Sequence, residues 1–370
     1  MINRREVLAS VTGAAALVAA GCSVSRREAW LLSAATDRAG VHVAMMVNTD
    51  GRVRFAAPLP ERAHDVLVTP DQKSVFVLAR RPGRYIYQLD LETGRVLAST
   101  KTQTGRHLYG HGVLTPDGRY LLTSENMLSG GNGVIVVRDV EALNVVRELD
   151  SYGIGPHEIR WAVPGQSLIV ANGGIATHPD YGRQPLNIET MAPNLAKIDV
   201  VSGDLLAQNV PRHPQNSIRH FDVLGTGNAV VGLQQQDAEQ GAKPIVAVSS
   251  WADPSDNILR SLVVDSGDLR ELYGYTASVC VNPSTAKAIV TSPRGDRVSF
   301  WDARDGAFIA STRLSDVAGV CFDTATNEFI VSSGRGYLYR FDANRFALKR
   351  SLTQRLADFS FDNHLTITHI

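Results

Sequence analysis

Short apolar runs rich in valine, isoleucine, leucine and aromatic residues alternate along the chain with clusters of Pro, Asp, Asn, Thr and Gly. Pairs of runs around a polar turn recur as HDVLVTPDQKSVFVLA from His64, HGVLTPDGRYLLTSEN from His111, HEIRWAVPGQSLIVAN from His157 and HFDVLGTGNAVVGLQQ from His220. Two further copies are ASVCVNPSTAKAIVTS from Ala277 and AGVCFDTATNEFIVSS from Ala318, and a partial one, ADFSFDNHLTITHI, runs from Ala357 to Ile370. Runs of this kind bounded by turn formers predict strands. A third run follows each pair, as at Tyr85 to Leu91, Val298 to Asp302 and Tyr337 to Asp342. Turns such as Glu92-Thr93-Gly94, Ser202-Gly203-Asp204 and Arg304-Asp305-Gly306 then lead into a fourth.

Four strands per unit at a period of roughly 40 to 60 residues predict the blades of a β-propeller. No segment of the body has helical length and a 3.6-residue period. Seven units of about 49 residues fit the chain behind its leader. Trp30 to Thr36, His42 to Asn48 and Val53 to Ala57 are strands without an inner partner, and Phe359 to Ile370 supplies inner strands without outer ones. Pairing the two ends completes one blade and leaves no open sheet edge. The expected fold is therefore all-β, a seven-bladed propeller formed as one domain over residues 26–370 and closed by its terminal strands.

Residues 1–25 read differently. MINRREVLASVTGAAALVAAGC has Arg4 and Arg5 before an Ala- and Val-rich run from Val7 to Ala20, the order of a secretory leader of the twin-arginine type. The expected location is the periplasm. Ala19-Ala20-Gly21-Cys22 resembles a lipoprotein cleavage box, so Cys22 is a candidate for lipidation and the only expected membrane attachment. No apolar run of spanning length lies beyond Cys22. With 37 basic against 37 acidic residues, the chain lacks the basic excess that phosphate binding needs, and nucleic acid is not an expected partner. Three cysteines exclude a disulfide scaffold; Cys280 and Cys321 occupy one repeat position in adjacent units and read as buried packing residues, with a bridge as the alternative.

Histidines carry the candidate chemistry. His64, His111, His157 and His220 sit at the start of the inner strand in four consecutive units, which puts them on one side of the channel mouth. Ala277, Ala318 and Ala357 stand nearby in the other three copies. Loops after the second strands open on the same face. They bring Glu125 and a long insertion from Ala171 to Pro193 containing Asn172, His178, Asp180 and Arg183; Arg106 and Arg219 flank the rim. Imidazole and carboxylate groups clustered in this way suit iron, copper or zinc, or general acid–base catalysis. On this reading the four histidines, Glu125 and His178 are metal-ligand candidates, with Arg106, Asn172, Asp180, Arg183 and Arg219 orienting a bound ligand. The plainer alternative is that the histidines only tie neighbouring blades together.

GHGVLTPDGRYLLTSEN, GIGPHEIRW, VANGGIATHPDYGRQPLNIETMAP, SIRHFDV and the closing DNHL resemble the bacterial family known as domain of unknown function 1513. The resemblance covers most of the chain behind the leader. It implies an exported seven-bladed propeller whose gene lies near those for imelysin-type lipoproteins and a di-haem protein, a neighbourhood associated with iron uptake. Three functions stay open: an accessory protein that binds iron or copper for metal acquisition, an enzyme such as a lactonase-like hydrolase or a metal-dependent oxidoreductase using the same mouth, and a platform for protein partners.

Overall fold

The computed structural model describes residues 27–370 apart from 182–183, 238–242, 253–254 and 263–265. The leader, Cys22 and Arg183 lie outside the described residues. The fold is an all-β, seven-bladed propeller. Six blades are consecutive four-stranded antiparallel sheets. Blade 1 is β4(Ala63–Val68), β5(Ser74–Ala79), β6(Tyr85–Asp90) and β7(Val96–Lys101). Blade 2 is β8(Arg106–Leu114), β9(Tyr120–Met127), β10(Asn132–Asp139) and β11(Val145–Ile154). Blade 3 comprises β12(Pro156–Val163), β13(Ser167–Asn172), β14(Asn194–Asp199) and β15(Leu205–Asn209), and blade 4 runs from β16(Asn216–Val223) through β17(Ala229–Gln235) and β18(Val246–Val248) to β19(Arg260–Ser261). Blades 5 and 6 begin with β20(Ser278–Asn282) and β24(Val317–Asp323) and have β21(Lys287–Ser292) and β25(Glu328–Ser333) as second strands.

Blade 7 is built from both ends of the chain. β1(Ala29–Asp37), β2(His42–Asn48) and β3(Val53–Leu59) are its outer strands, and both β28(Phe359–Phe361) and β29(Thr366–His369) pair with β1. Its inner strand is thus split, with Asp362, Asn363, His364 and Leu365 in the gap. The segment NHLTIT from Asn363, not the one beginning at Ala357, therefore aligns with the inner strands of the other copies. His364 falls at the position held by His64 in AHDVLV, so five histidines rather than four share that position.

The strands form because their apolar residues can be covered on both faces by adjacent blades. β5 and β13 are buried along their whole length, and Phe300, Phe329 and Phe341 pack between blades 5 and 6. Side-chain hydrogen bonds tie neighbouring blades together. Thr366 Oγ1 donates to the Val66 carbonyl (2.8 Å), Ser217 Oγ to that of Gly173 (2.7 Å) and Thr291 Oγ1 to that of Ala318 (2.6 Å). Cys280 and Cys321 are buried, free thiols packed in adjacent interblade clusters, and burial raises both thiol pKa values. Among the described residues no helix is long and apolar enough to cross a membrane.

Candidate metal centre

Each inner strand that carries a histidine is irregular at that residue. The β4–β5 register shifts between Ala63 and Val66, β8–β9 between Leu108 and Gly112, β12–β13 between Pro156 and Glu158, and β16–β17 between Ile218 and His220. A bulge places an extra residue on one strand and re-aims its side chains. Here it turns the imidazoles of His64, His111, His157 and His220 toward the channel axis. His364 reaches the axis from the gap in the inner strand of blade 7. β20 of blade 5 pairs without a shift and contributes no histidine. β24 is bulged at Ala318-Gly319, where the bare glycine makes room for the His364 segment: a Cβ on Gly319 would lie 2.8 Å from the His364 carbonyl carbon.

The five rings form one cluster. Centroids are 4.8 Å apart for His64–His111, 4.5 Å for His64–His364, 4.5 Å for His111–His364, 4.7 Å for His220–His364 and 4.7 Å for His157–His220. His64, His111, His220 and His364 are buried and each offers a ring nitrogen within 4.8 Å of the other three. Metal–imidazole bonds of about 2.0–2.1 Å allow nitrogens at most about 4.2 Å apart across the ion. Four such nitrogens around a tetrahedral ion lie about 3.3–3.4 Å from one another, so closing on a metal draws the most widely spaced rings together by about 1 Å.

Three histidines share a second feature. A carboxylate of the preceding blade meets Nδ1 of each: Asp362 of blade 7 lies 3.3 Å from His64, Asp65 of blade 1 lies 3.4 Å from His111, and Glu158 of blade 3 lies 3.0 Å from His220. A carboxylate only accepts, so these nitrogens carry the protons and each Nε2 is the acceptor nitrogen, that of His220 already facing His157 Nε2. The buried Nε2 atoms of His111 and His364 have no hydrogen-bond partner among the described residues. His157 breaks the pattern. The equivalent position in blade 2 is Gly112, where a Cβ would come within 2.8 Å of the Leu122 carbonyl oxygen. With no carboxylate on its Nδ1, His157 instead uses Nε2 against His220 Nε2 at 3.3 Å, and it stands outside the four-histidine group.

The carboxylates are themselves anchored. Arg62 and Arg80 donate to Asp362 at 2.6 and 2.5 Å, and Arg160 donates to Glu158 at 2.7 Å. Burial works to raise the Glu158 pKa, but Arg160 and the His220 hydrogen bond outweigh it and hold the carboxyl well below its ordinary range. Burial, reinforced by neighbouring cationic groups and imidazoles, drives His64, His157 and His364 well below the ordinary imidazole pKa. Burial likewise pushes His220 down to about 4, against the pull of Glu158. These rings are neutral at physiological pH, the form that ligates metals.

Above the rings lies a cavity of about 440 Å³ whose lining includes His64, His157, Arg80, Arg81, Arg219 and Arg294. Arg219 is the extra residue of the β16 bulge. Burial, then the nearby charge of Arg81, lowers its guanidinium pKa to about 10.

The remaining expected residues lie elsewhere. Glu125, on β9, is committed to a buried pair with Arg138 of β10 (2.5 Å) and is not in the four-histidine group. Burial outweighs that arginine and raises the Glu125 pKa. His178 is paired at 3.5 Å with Asp180, which is largely exposed on the insertion. Arg106 forms a two-pronged contact with Glu148 inside blade 2, and Asn172 donates to the Ser151 carbonyl and to Asn194 Oδ1. Neither Glu125 nor His178 belongs to the four-histidine group, and each has a partner of its own. Sequence reasoning missed His364, Asp65, Glu158 and Asp362, as well as Arg80, Arg81 and Arg294. The last three leave β5 and β21 at the repeat position of the loops after the second strands.

The propeller resembles solved structures at low identity. Hydrazine synthase from Kuenenia stuttgartiensis superposes with a TM-score of 0.61 at 14% identity, over 87% of this chain and 91% of that one. A functionally unknown protein from Desulfotomaculum acetoxidans DSM 771 superposes with a TM-score of 0.63 at 12% identity, over 92% and 99%. At these identities the likeness is one of fold. No curated protein matches the chain in sequence. The family described as protein of unknown function (DUF1513) matches residues 57–368, and the chain belongs to it.

Proposed function

We propose that the histidines of the channel mouth hold a transition-metal ion, iron or copper, and that the protein is an accessory in metal acquisition, exported to the periplasm by its twin-arginine-type leader. The observation that carries this reading is the set of three carboxylates from preceding blades, each fixing a proton on Nδ1 and leaving Nε2 to ligate. Carboxylate–histidine pairs of this kind orient metal ligands and raise their basicity. Histidines that only locked the ring together would have met neighbouring backbone instead. Four imidazole nitrogens suit copper, iron or zinc better than magnesium or calcium. Exchange of the metal with imelysin-like or di-haem partners belongs to the same proposal.

A second reading, a metal-dependent enzyme, is favoured by the cavity that opens directly on His64 and His157, where a substrate could reach the ion. Competition titration against a chromophoric chelator, with ferrous, cuprous and zinc ions in turn, tests the metal site common to both. One ion per chain is expected. Asp65→Asn and Glu158→Gln should weaken binding about 10- to 100-fold, and His111→Ala should abolish it in a protein that still melts cooperatively. Failure of every ion to bind the wild type would sink the reading.

A further inference from the structure

We propose that the cavity over the histidines binds a small polycarboxylate, an ionised di- or tricarboxylic acid, between the guanidinium groups of Arg81, Arg219 and Arg294. The three arginines come from blades 1, 4 and 5 and line one cavity of about 440 Å³. Among the described residues none of them pairs with a carboxylate, whereas their neighbour Arg80 is satisfied by Asp362. Arg219 is 9% exposed. Its Nε, Arg81 Nη1 and the Tyr109 hydroxyl are buried without a hydrogen-bond partner among the described residues.

Buried polar and charged groups in native proteins are otherwise paired, because an unpaired one has lost its hydration with nothing in return. Two of the guanidiniums are also held in place, Arg81 over the Tyr109 ring (5.4 Å) and Arg294 over the Tyr275 ring (4.7 Å). A planar guanidinium fixed in this way matches a carboxylate through two parallel hydrogen bonds. Three such groups around one cavity call for several carboxylates on one molecule. Ile175 and Pro185, contributed by the long insertion, add apolar wall against which a carbon skeleton packs; inorganic phosphate offers them nothing.

The proposal goes beyond the metal reading and stands without it, since the arginines line the cavity whether or not an ion lies below. Calorimetric titration tests it on full-length mature protein stripped over a chelating resin, because soluble EDTA is itself a polycarboxylate. The probes are citrate, malonate, acetate and phosphate at low ionic strength. Citrate and malonate are expected to bind, with acetate and phosphate at least about 10-fold weaker. Arg81→Gln and Arg294→Gln should each weaken citrate about 10- to 100-fold. Arg294 is exposed on a short turn, so its variant keeps the test valid if Arg81→Gln disturbs folding, and the citrate-induced rise in Tm provides the parallel readout. Absence of citrate binding, equal affinity in the Arg294 variant, or phosphate binding as tight as citrate would overturn the proposal. A protein that binds citrate but no metal would refute only the metal reading, and the converse only this one.

Discussion

An imidazole taken out of water stays neutral unless something stabilises its charge, and at this mouth four histidines have been driven below their ordinary pKa by burial. The consequence for stability has a definite sign. Unfolded, these histidines take up protons below about pH 6.5, while the folded chain resists until far lower, about 4 for His220. The unfolded state then binds more protons, so the stability of metal-free protein is full above pH 6.5 and falls as the pH drops toward 4. The slope is at most about 1.4 kcal/mol per pH unit for each histidine. Thermal melts of stripped protein should show Tm declining steadily from pH 7 to pH 5; an unchanged Tm would mean that the rings protonate freely in the fold. At this scale the sequence was partly legible. His64, His111, His157 and His220 were visible because they recur at one repeat position. His364 was hidden because the last copy was aligned on Ala357, although the Asp362-Asn363-His364 triplet echoes His64-Asp65 and His157-Glu158 in setting a carboxylate close to a histidine. The carboxylates escaped notice because their partners sit one blade away, about 50 to 60 residues off in the chain for Asp65 and Glu158 and at the opposite end of it for Asp362.

At the scale of the strand, the site depends on irregularity. A regular inner strand would alternate its side chains between two neighbouring blades, and it is the bulge that aims histidine at the axis. Glycine completes the geometry at Gly110, where φ is +104° and a Cβ would lie 2.8 Å from His64 Cδ2. Gly110→Ala is therefore expected to cost about 1–3 kcal/mol through backbone strain and overpacking, and to weaken metal binding by displacing His64. Gly105→Ala makes the control: φ is +81° with open space around the Cβ, so strain appears without the contact. Denaturant unfolding and metal titration of both variants check this; equal metal affinity in the two would show that Gly110 does not position the ring. Strand positions were legible from periodicity and turn residues, as β2 at His42–Asn48 shows. Bulges were not, because one extra residue in a repeat of variable length leaves no mark on the hydrophobic pattern.

For the whole molecule, ring closure and site formation are one event. The chain must bring its last residues beside β1 to finish blade 7, and that step delivers both His364 and the Asp362 carboxylate that meets His64. Closure by the two termini was readable from unpaired strands at each end, whereas its placing a fifth histidine on the axis depended on a register that sequence alone leaves open. The propeller thus assembles a set of ligands no local segment contains, which is why no metal-binding motif of fixed spacing appears in the chain. X-ray absorption spectroscopy of the loaded protein tests this account most directly. It predicts a first shell of four imidazole nitrogens at about 2.0–2.1 Å for a zinc- or copper-sized ion, reduced by one in a folded His364→Ala variant. A shell of oxygen ligands, or one unaltered by the loss of His364, would contradict it.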